Sequence, residues 1–381
     1  MRKDIKYIGF YDLQDSKYKR NTCLSAINKM NYICDTMVKN NYNVTIVSPA
    51  WYVDKKAPKT LKQVTQISEN VKLIQAPSFA TKNKITGKLK YYFVQIWLFL
   101  YLITNIKKEE EIVVYHSLAL MYPLLLAKKI KKFRVIYEVE EIYTDVIDYG
   151  KSKRKIEFKT ISNADKYIFP TELLNKKLNK YNKPNVIIYG TYQYKDIKNI
   201  KFNDKKIHIV YAGTFNGKKG GVTIAINTAK FLDENYHVHI IGFGSDKEIQ
   251  DVKELINKIS NQSKCTVTYD GMYTGEDYIK FLQSCDIGLS TQAPNEEYNN
   301  TSFPSKVLSY MENGLRVVSV KIDVLEQSEI SNLLYYYEFA DPQNIAEAIM
   351  KIDYNDKYNS REIISKLDKR FTINLNKLLE I

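Results

Sequence analysis

The chain has 381 residues, four cysteines and a formal net charge of +14. That length exceeds what one hydrophobic core organises, so two domains of ordinary size are expected. Cys23, Cys34, Cys265 and Cys285 stand singly, with no C-x-x-C pair, which excludes a disulfide scaffold and implies reduced thiols in a cytoplasmic protein.

In chain order, the N-terminal segment turns polar before a signal-peptide core of usual length is complete, and it reads as a first strand, KYIGFY at 6–11. A helix follows over 25–40, with Ile27, Met30, Ile33, Cys34, Met37 and Val38 on one face. Further strands are expected at 44–50, 71–77, 111–116, 134–140 and 166–170, and the first domain, 1–190, closes on VIIYG at 186–190. The strongest apolar run, 91–106, contains Gln95, Thr104 and Asn105 and is shorter than the roughly 20 residues of a membrane-spanning helix.

Residues 191–206 lack a hydrophobic period and form the predicted linker. A second alternation then begins, with strands at 206–215, 238–244, 265–271, 286–291, 316–320 and 333–339 and helices at 222–232, 247–260 and 278–284. The second domain is placed at 207–360, and a terminal helix at 361–381 is expected to pack back on the first domain. Alternating strands and helices predict an α/β fold of two Rossmann-like, doubly wound parallel-sheet domains facing a central cleft.

Charge is uneven. Residues 1–190 hold 34 Lys and Arg against 17 Asp and Glu, whereas the remainder holds 23 against 26. No zinc finger, RNP-like strand or helix-turn-helix accompanies the basic half, so nucleic acid is not expected as a partner. An anionic membrane surface or a phosphate-bearing acceptor fits that charge, as does a merely solvated surface. The segment 81–108 joins lysines to an apolar helix, suiting either the inner face of a membrane or a core helix behind a basic loop.

Two stretches carry chemistry. In NTSFPSKVLSYMENGLRVVS, 300–319, a helix starting after Pro304 presents backbone N–H groups at Ser302, Phe303 and Ser305, with the Lys306 ammonium beside them, an arrangement suited to a diphosphate. In AGTFNGKKGG, 212–221, glycines with Lys218 and Lys219 make a positive turn between a strand and a helix, matching neither the P-loop nor the dinucleotide fingerprint.

Together with IIGFGSD (240–246) and VTYDGMYTGEDYIKFLQSCDIGLS (267–290), these stretches resemble the C-terminal domain of retaining glycosyltransferases of family 4 with the GT-B fold, of the bacterial surface-polysaccharide type. The resemblance is strong over 207–320 and looser elsewhere. It implies a nucleotide-diphosphate sugar, UDP- or GDP-linked, as donor, with no other cofactor. Its diphosphate would lie against Lys218 or Lys219, Ser305 and Lys306. Gly213, Thr214, Gly220, Gly244, Ser302 and Phe303 would complete the donor site, and Gly271 and Tyr273 would lie near the nucleobase. In the first half, His116 ends a strand as the family's acceptor domain does, and Glu140, beside Glu141, stands where a catalytic-site histidine is common.

Three departures stand out. Ser309 and Thr301 replace the glutamates of the family's E-x7-E motif, Thr214 stands where an arginine is usual, and the loop DLQDSKYKRN lacks a glycine pair, leaving Arg20 as the expected phosphate or acceptor contact. No D-x-D occurs, and His237 and His239 share a strand face with no Cys or Asp nearby in sequence, so no metal is expected. The resemblance therefore implies sugar transfer to a hydroxyl of a glycan or a polyprenyl-diphosphate-linked acceptor, in surface polysaccharide (capsule) synthesis, by a cytoplasmic protein peripheral to the inner face of the plasma membrane. A sugar-nucleotide epimerase of the same architecture and a non-catalytic partner subunit are the alternatives.

Overall fold

The computed structural model describes residues 2–80, 84–193, 200–215, 221–292, 299 and 301–381. It divides into two compact units, one of Met1–Thr191 with Arg370–Ile381 and one of Tyr192–Lys369.

The first unit runs β1 (Lys3–Ile8), α1 (Leu24–Lys39), β2 (Tyr42–Ser48), β3 (Gln63–Ser68), β4 (Val71–Gln75), α2 (Lys84–Asn105), β5 (Glu111–Tyr115), α3 (Met121–Lys131), β6 (Arg134–Glu138), α4 (Tyr143–Val146), α5 (Lys151–Ser162), β7 (Lys166–Phe169), α6 (Glu172–Leu178) and β8 (Asn185–Ile187). Its eight strands lie in the order β3-β4-β2-β1-β5-β6-β7-β8, parallel except for the β3–β4 pair. Strand alternation sorts side chains onto two faces. Ile112 and Val114 of β5 and Val135 and Tyr137 of β6 enter a core with Leu98 and Leu102 of α2, Leu124 of α3 and Ile161 of α5. Ile136 and Glu138 leave β6 on the opposite face. β3 escaped the sequence analysis because QVTQIS is a mostly exposed edge strand with no buried apolar residue to set a period.

The second unit runs β9 (Ile207–Thr214), α7 (Gly221–Thr228), β10 (Tyr236–Phe243), α8 (Asp246–Ser260), β11 (Thr266–Gly271), α9 (Gly275–Ser284), β12 (Ile287–Ser290), α10 (Ser305–Glu312), β13 (Arg316–Val320), α11 (Asp323–Glu326), β14 (Leu334–Tyr337), α12 (Pro342–Met350) and α13 (Ser360–Glu380). Its six strands are all parallel, in the order β11-β10-β9-β12-β13-β14. The runs IVYA of β9 and IGLS of β12 are buried throughout, as strands covered on both faces must be. Ser245 and Glu248 close a capping box that starts α8.

The end of the predicted linker belongs to the second unit. Phe202 stacks on His208, 4.0 Å between ring centroids, and so ties the otherwise mostly exposed segment 200–206 to β9. α13 starts in the second unit and its residues from Arg370 belong to the first, where Phe371 stacks on Tyr32 and Lys166 donates to the Leu378 carbonyl. Among the described residues, no helix is long and apolar enough to cross a membrane.

Candidate active site

In the second sheet, winding reverses between β9 and β12. Open α/β sheets take ligands outside the carboxyl ends of the strands at such a switch point. β9 ends there in Gly213 and Thr214, and Thr291, just past β12, donates its hydroxyl to the carbonyl of Gly221 at the start of α7 (2.7 Å). Beneath the crevice the buried Tyr310 of α10 ties the two strands together. Its hydroxyl accepts from the Ala212 N–H (2.9 Å) and donates to the Leu289 carbonyl (3.2 Å).

The first turn of α10 brings the cation. Lys306 lays its ammonium 4.0 Å from the centroid of the Tyr211 ring and directly over Gly213, where a β-carbon would meet Lys306 Cε at 2.8 Å. A side chain at 213 would push the Lys306 ammonium from this position. Gly242 on β10 is required for conformation, having φ of 143° and packing onto the Gly213 carbonyl. The N-cap, Pro304, supplies no side-chain cap and the first turn holds no acid, so the positive end of the α10 dipole and the Lys306 charge act together on an anion.

The structure brings Gly213, Thr214, Ser305 and Lys306 to this crevice, with Ser302 and Phe303 half-buried just before α10. Lys218, Lys219 and Gly220 lie outside the described residues. Gly244 leads into the capping box of α8. Gly271, with φ of 92°, and Tyr273, stacked on Phe281, lie beyond β10 at the edge strand β11. Ser309 points to α9, its Oγ 3.5 Å from the Tyr278 hydroxyl. Tyr211 and Tyr310 escaped the sequence analysis, because the contacts that matter join segments far apart in the chain.

In the first unit the expected partners separate. His116 follows Ile112 and Val114 onto the α5 face of the sheet, 1% exposed, between the rings of Tyr137 and Tyr143. Its Nε2 lies 3.3 Å from Glu157. Glu157 also accepts from the Tyr143 N–H (2.8 Å), the Thr144 N–H (3.2 Å) and the Thr144 hydroxyl. Burial pushes the Glu157 carboxyl up, but the adjacent His116 ring and the bonds from Thr144 outweigh it and hold it below its ordinary range. His116, which the sequence placed at a strand end like a catalytic-site residue of the acceptor domain, is instead closed in by Tyr137, Tyr143 and Glu157 and does not present its ring to solvent.

Glu138 and Glu140 occupy the α1 face. The Tyr7 hydroxyl donates to Glu138, Glu140 lies beside it, and Lys29 of α1 pairs with Glu140 at 2.6 Å. Burial first, then the adjacent Glu140, raises Glu138 to about 8, so this carboxyl holds its proton at neutral pH. Glu140 is the member of the pair that reaches solvent, 21% exposed, and Glu141 is half-buried next to it.

Arg20 is also reassigned. It is 4% exposed, donates to the carbonyls of Ala50 (2.6 Å) and Ala76 (3.1 Å) and to Gln63 Oε1 (3.0 Å), and stacks on Tyr52. Its donors hold loops together and are not presented to a phosphate.

Residues 206–353, wholly within the second unit, match the family model described as Glycosyl transferases group 1. No curated protein matches the chain in sequence. In fold the whole chain is similar to a trehalose-6-phosphate structure from E. coli bound with UDP-2-fluoro glucose, at 9% identity and a TM-score of 0.67 over 99% of both chains. It is also similar to an alpha,alpha-trehalose 6-phosphate synthase from Burkholderia multivorans, at 10% identity and a TM-score of 0.64 over 100% of this chain and 99% of that one. An Anabaena protein in complex with UDP and glucose matches at 12% identity and a TM-score of 0.62 over the full length of both. The architecture is GT-B-like, and with the family match it supports a glycosyltransferase.

Proposed function

We propose that this glycosyltransferase moves a sugar, with retention at the anomeric carbon, from a nucleotide-diphosphate donor bound at the carboxyl ends of β9 and β12. The observation that carries the reading is the Lys306 ammonium held over Gly213 at the first turn of α10. As the glycosidic bond breaks, the departing diphosphate gathers negative charge, and a fixed cation with helix-end N–H groups stabilises it most at that moment. Lys218 and Lys219, from the turn between β9 and α7, would add to that charge. Two of the similar structures hold UDP or a UDP sugar, which favours UDP as the carrier.

The first unit would bind the acceptor, a hydroxyl of a glycan or of a polyprenyl-diphosphate-linked sugar of the kind used to build surface polysaccharide. Glu140, paired with Lys29 and adjacent to Glu138, would orient sugar hydroxyls. α2 packs on α3, and the two helices share an outward apolar stripe of Leu89, Tyr92, Ile96 and Leu100 with Tyr122, Leu126 and Ile130. Exposed Lys88, Lys107, Lys108 and Lys129 on and beside these helices suit anionic lipid head groups, which supports a peripheral place at the cytoplasmic membrane face.

The test is calorimetric titration of the full chain with UDP-glucose and other UDP and GDP sugars, beside Lys306→Ala. Binding of one nucleotide sugar that weakens at least about tenfold in the variant supports the donor site. Equal binding by both proteins removes Lys306 from it. Sedimentation with vesicles containing anionic lipid, against neutral vesicles, tests the apolar stripe.

A further inference from the structure

Three of the four histidines in the chain meet at one place that the donor site does not use. His208 lies near the start of β9, and His237 and His239 lie on one face of β10, His237 in register with His208. One ring nitrogen from each lies within 4.8 Å of the others. His208 and His239 are buried and His237 is half-buried. Phe202 covers the group, nearly parallel to His239 at 4.8 Å. The aspartates absent from the local sequence arrive from neighbouring segments, Asp204 from the turn before β9 and Asp270 from β11.

Each ring commits one nitrogen outward. His208 Nε2 lies 2.7 Å from Asp204 Oδ1, His239 Nδ1 lies 3.1 Å from Asp270 Oδ2, and His237 Nε2 lies 3.0 Å from Thr268 Oγ1. The Thr268 hydroxyl donates in turn to Asp270 (2.8 Å). Metal-binding histidines show the same second-layer pattern, in which an acceptor fixes the tautomer and leaves the other nitrogen for the ion. The inward nitrogens are then His208 Nδ1, His239 Nε2 and His237 Nδ1.

The first two of these inward atoms lie only 2.8 Å apart. Along Asp204, His208, His239 and Asp270, one N–H faces each carboxylate, and the middle gap between His208 Nδ1 and His239 Nε2 is closed either by a third proton or by a cation. A divalent cation between His208 Nδ1 and His239 Nε2 takes the place of the middle proton and lets each outer N–H rest on its carboxylate. The charges then balance, two carboxylates against one dication. An ion bonded to nitrogens at about 2.0–2.1 Å in a tetrahedral site needs those two atoms to part by roughly half an ångström.

We propose that His208, His237 and His239 form a binding site for a divalent transition ion of the zinc class, with Asp204, Asp270 and Thr268 as outer partners. An imidazole set suits zinc, copper and nickel and is a poor host for magnesium or calcium. The ion joins β9 to β10 and, through the outer partners, to β11 and the segment before β9. It thus fastens the sheet well upstream of the β9 end that carries Gly213. The proposal runs against the expectation of no metal, which rested on the two aspartates and His208 being remote in sequence from His237 and His239.

The experiment titrates Zn2+ into the full chain, freed of metal by chelator, by calorimetry, and records the visible spectrum with Co2+. Binding of one equivalent, with Co2+ bands typical of four- or five-coordinate nitrogen ligation, is expected. His239→Asn and His237→Gln should each weaken Zn2+ binding by about a hundredfold or more. Asp204→Asn, altering an outer partner, should weaken it about 10- to 100-fold at unchanged stoichiometry. Should His239→Asn fail to fold, His237→Gln decides, because that ring is half-exposed. No saturable binding by the parent chain, or undiminished binding by His237→Gln, overturns the proposal.

Discussion

A β-carbon placed on Gly213 would lie 2.8 Å from Lys306 Cε and closer still to Nζ, so the end of β9 and the first turn of α10 share one small volume. Lys306→Ala should lower kcat with a nucleotide sugar by about 10²–10³, the usual cost of losing one group that stabilises developing charge. Gly213→Ala should also lower activity, by pushing the Lys306 stem aside. In the Lys306→Ala background it should add little, because the stem it displaces is gone. A double-mutant cycle on kcat/KM measures this coupling, and strict additivity would show that the two residues act separately.

Tyr310 fixes the floor under that crevice. It is fully buried, its ring lies against Gly288, and its hydroxyl joins the Ala212 N–H to the Leu289 carbonyl. Tyr310→Phe leaves both backbone groups without this partner in a dry site and should destabilise the chain by about 1–3 kcal/mol. Urea denaturation checks this, and an unchanged midpoint would mean that the hydroxyl bridge contributes nothing.

The parts legible in the sequence are those set by neighbours along the chain. Apolar runs gave the central strands, and Pro304, Ser305 and Lys306 announced an anion-suited helix start because a helix terminus is a local feature. Contacts across the sheet were not legible. Nothing in sequence separation indicates that Lys29 meets Glu140, that Asp270 meets His239, or that the guanidinium of Arg20 is used up by the carbonyls of Ala50 and Ala76. His116 misled for a related reason. A strand-end position fixes which face a side chain takes, but burial on that face depends on Tyr143 and on Glu157 from α5.

Glu157 holds α4 to α5 through the N–H groups of Tyr143 and Thr144. Its carboxyl is lowered below the value it has in the unfolded chain, so the charge contributes stability above that unfolded pKa, which is lost as pH falls through the folded one. Glu157→Gln should therefore cost about 1–3 kcal/mol at pH 7 and progressively less in acid below about pH 4. Unfolding midpoints at the two pH values test this, and an equal loss at both would show that shape, not charge, is what Glu157 supplies.

Glu138 works with the opposite sign. Its folded pKa, near 8, lies above the unfolded value, so between about pH 4.5 and 8 the folded chain holds a proton that the unfolded chain has released. Stability must fall as pH rises through that window, at a limiting slope of about 1.4 kcal/mol per pH unit for this group. The groups facing it are Tyr7 from β1, Tyr115 from β5, Cys34 and Lys29 from α1, and Glu140 beyond β6; Lys29 is the cation that eases its ionisation, and Glu140 the anion that opposes it. Glu138→Gln keeps the shape and stays neutral at every pH. Its stability curve should flatten between pH 5 and 8 and exceed the parent's at pH 9, whereas Glu140→Gln, which removes the opposing charge, should lower the Glu138 pKa and weaken the same slope. Parallel pH curves for Glu138→Gln and the parent would show that Glu138 is already ionised in the folded state at neutral pH.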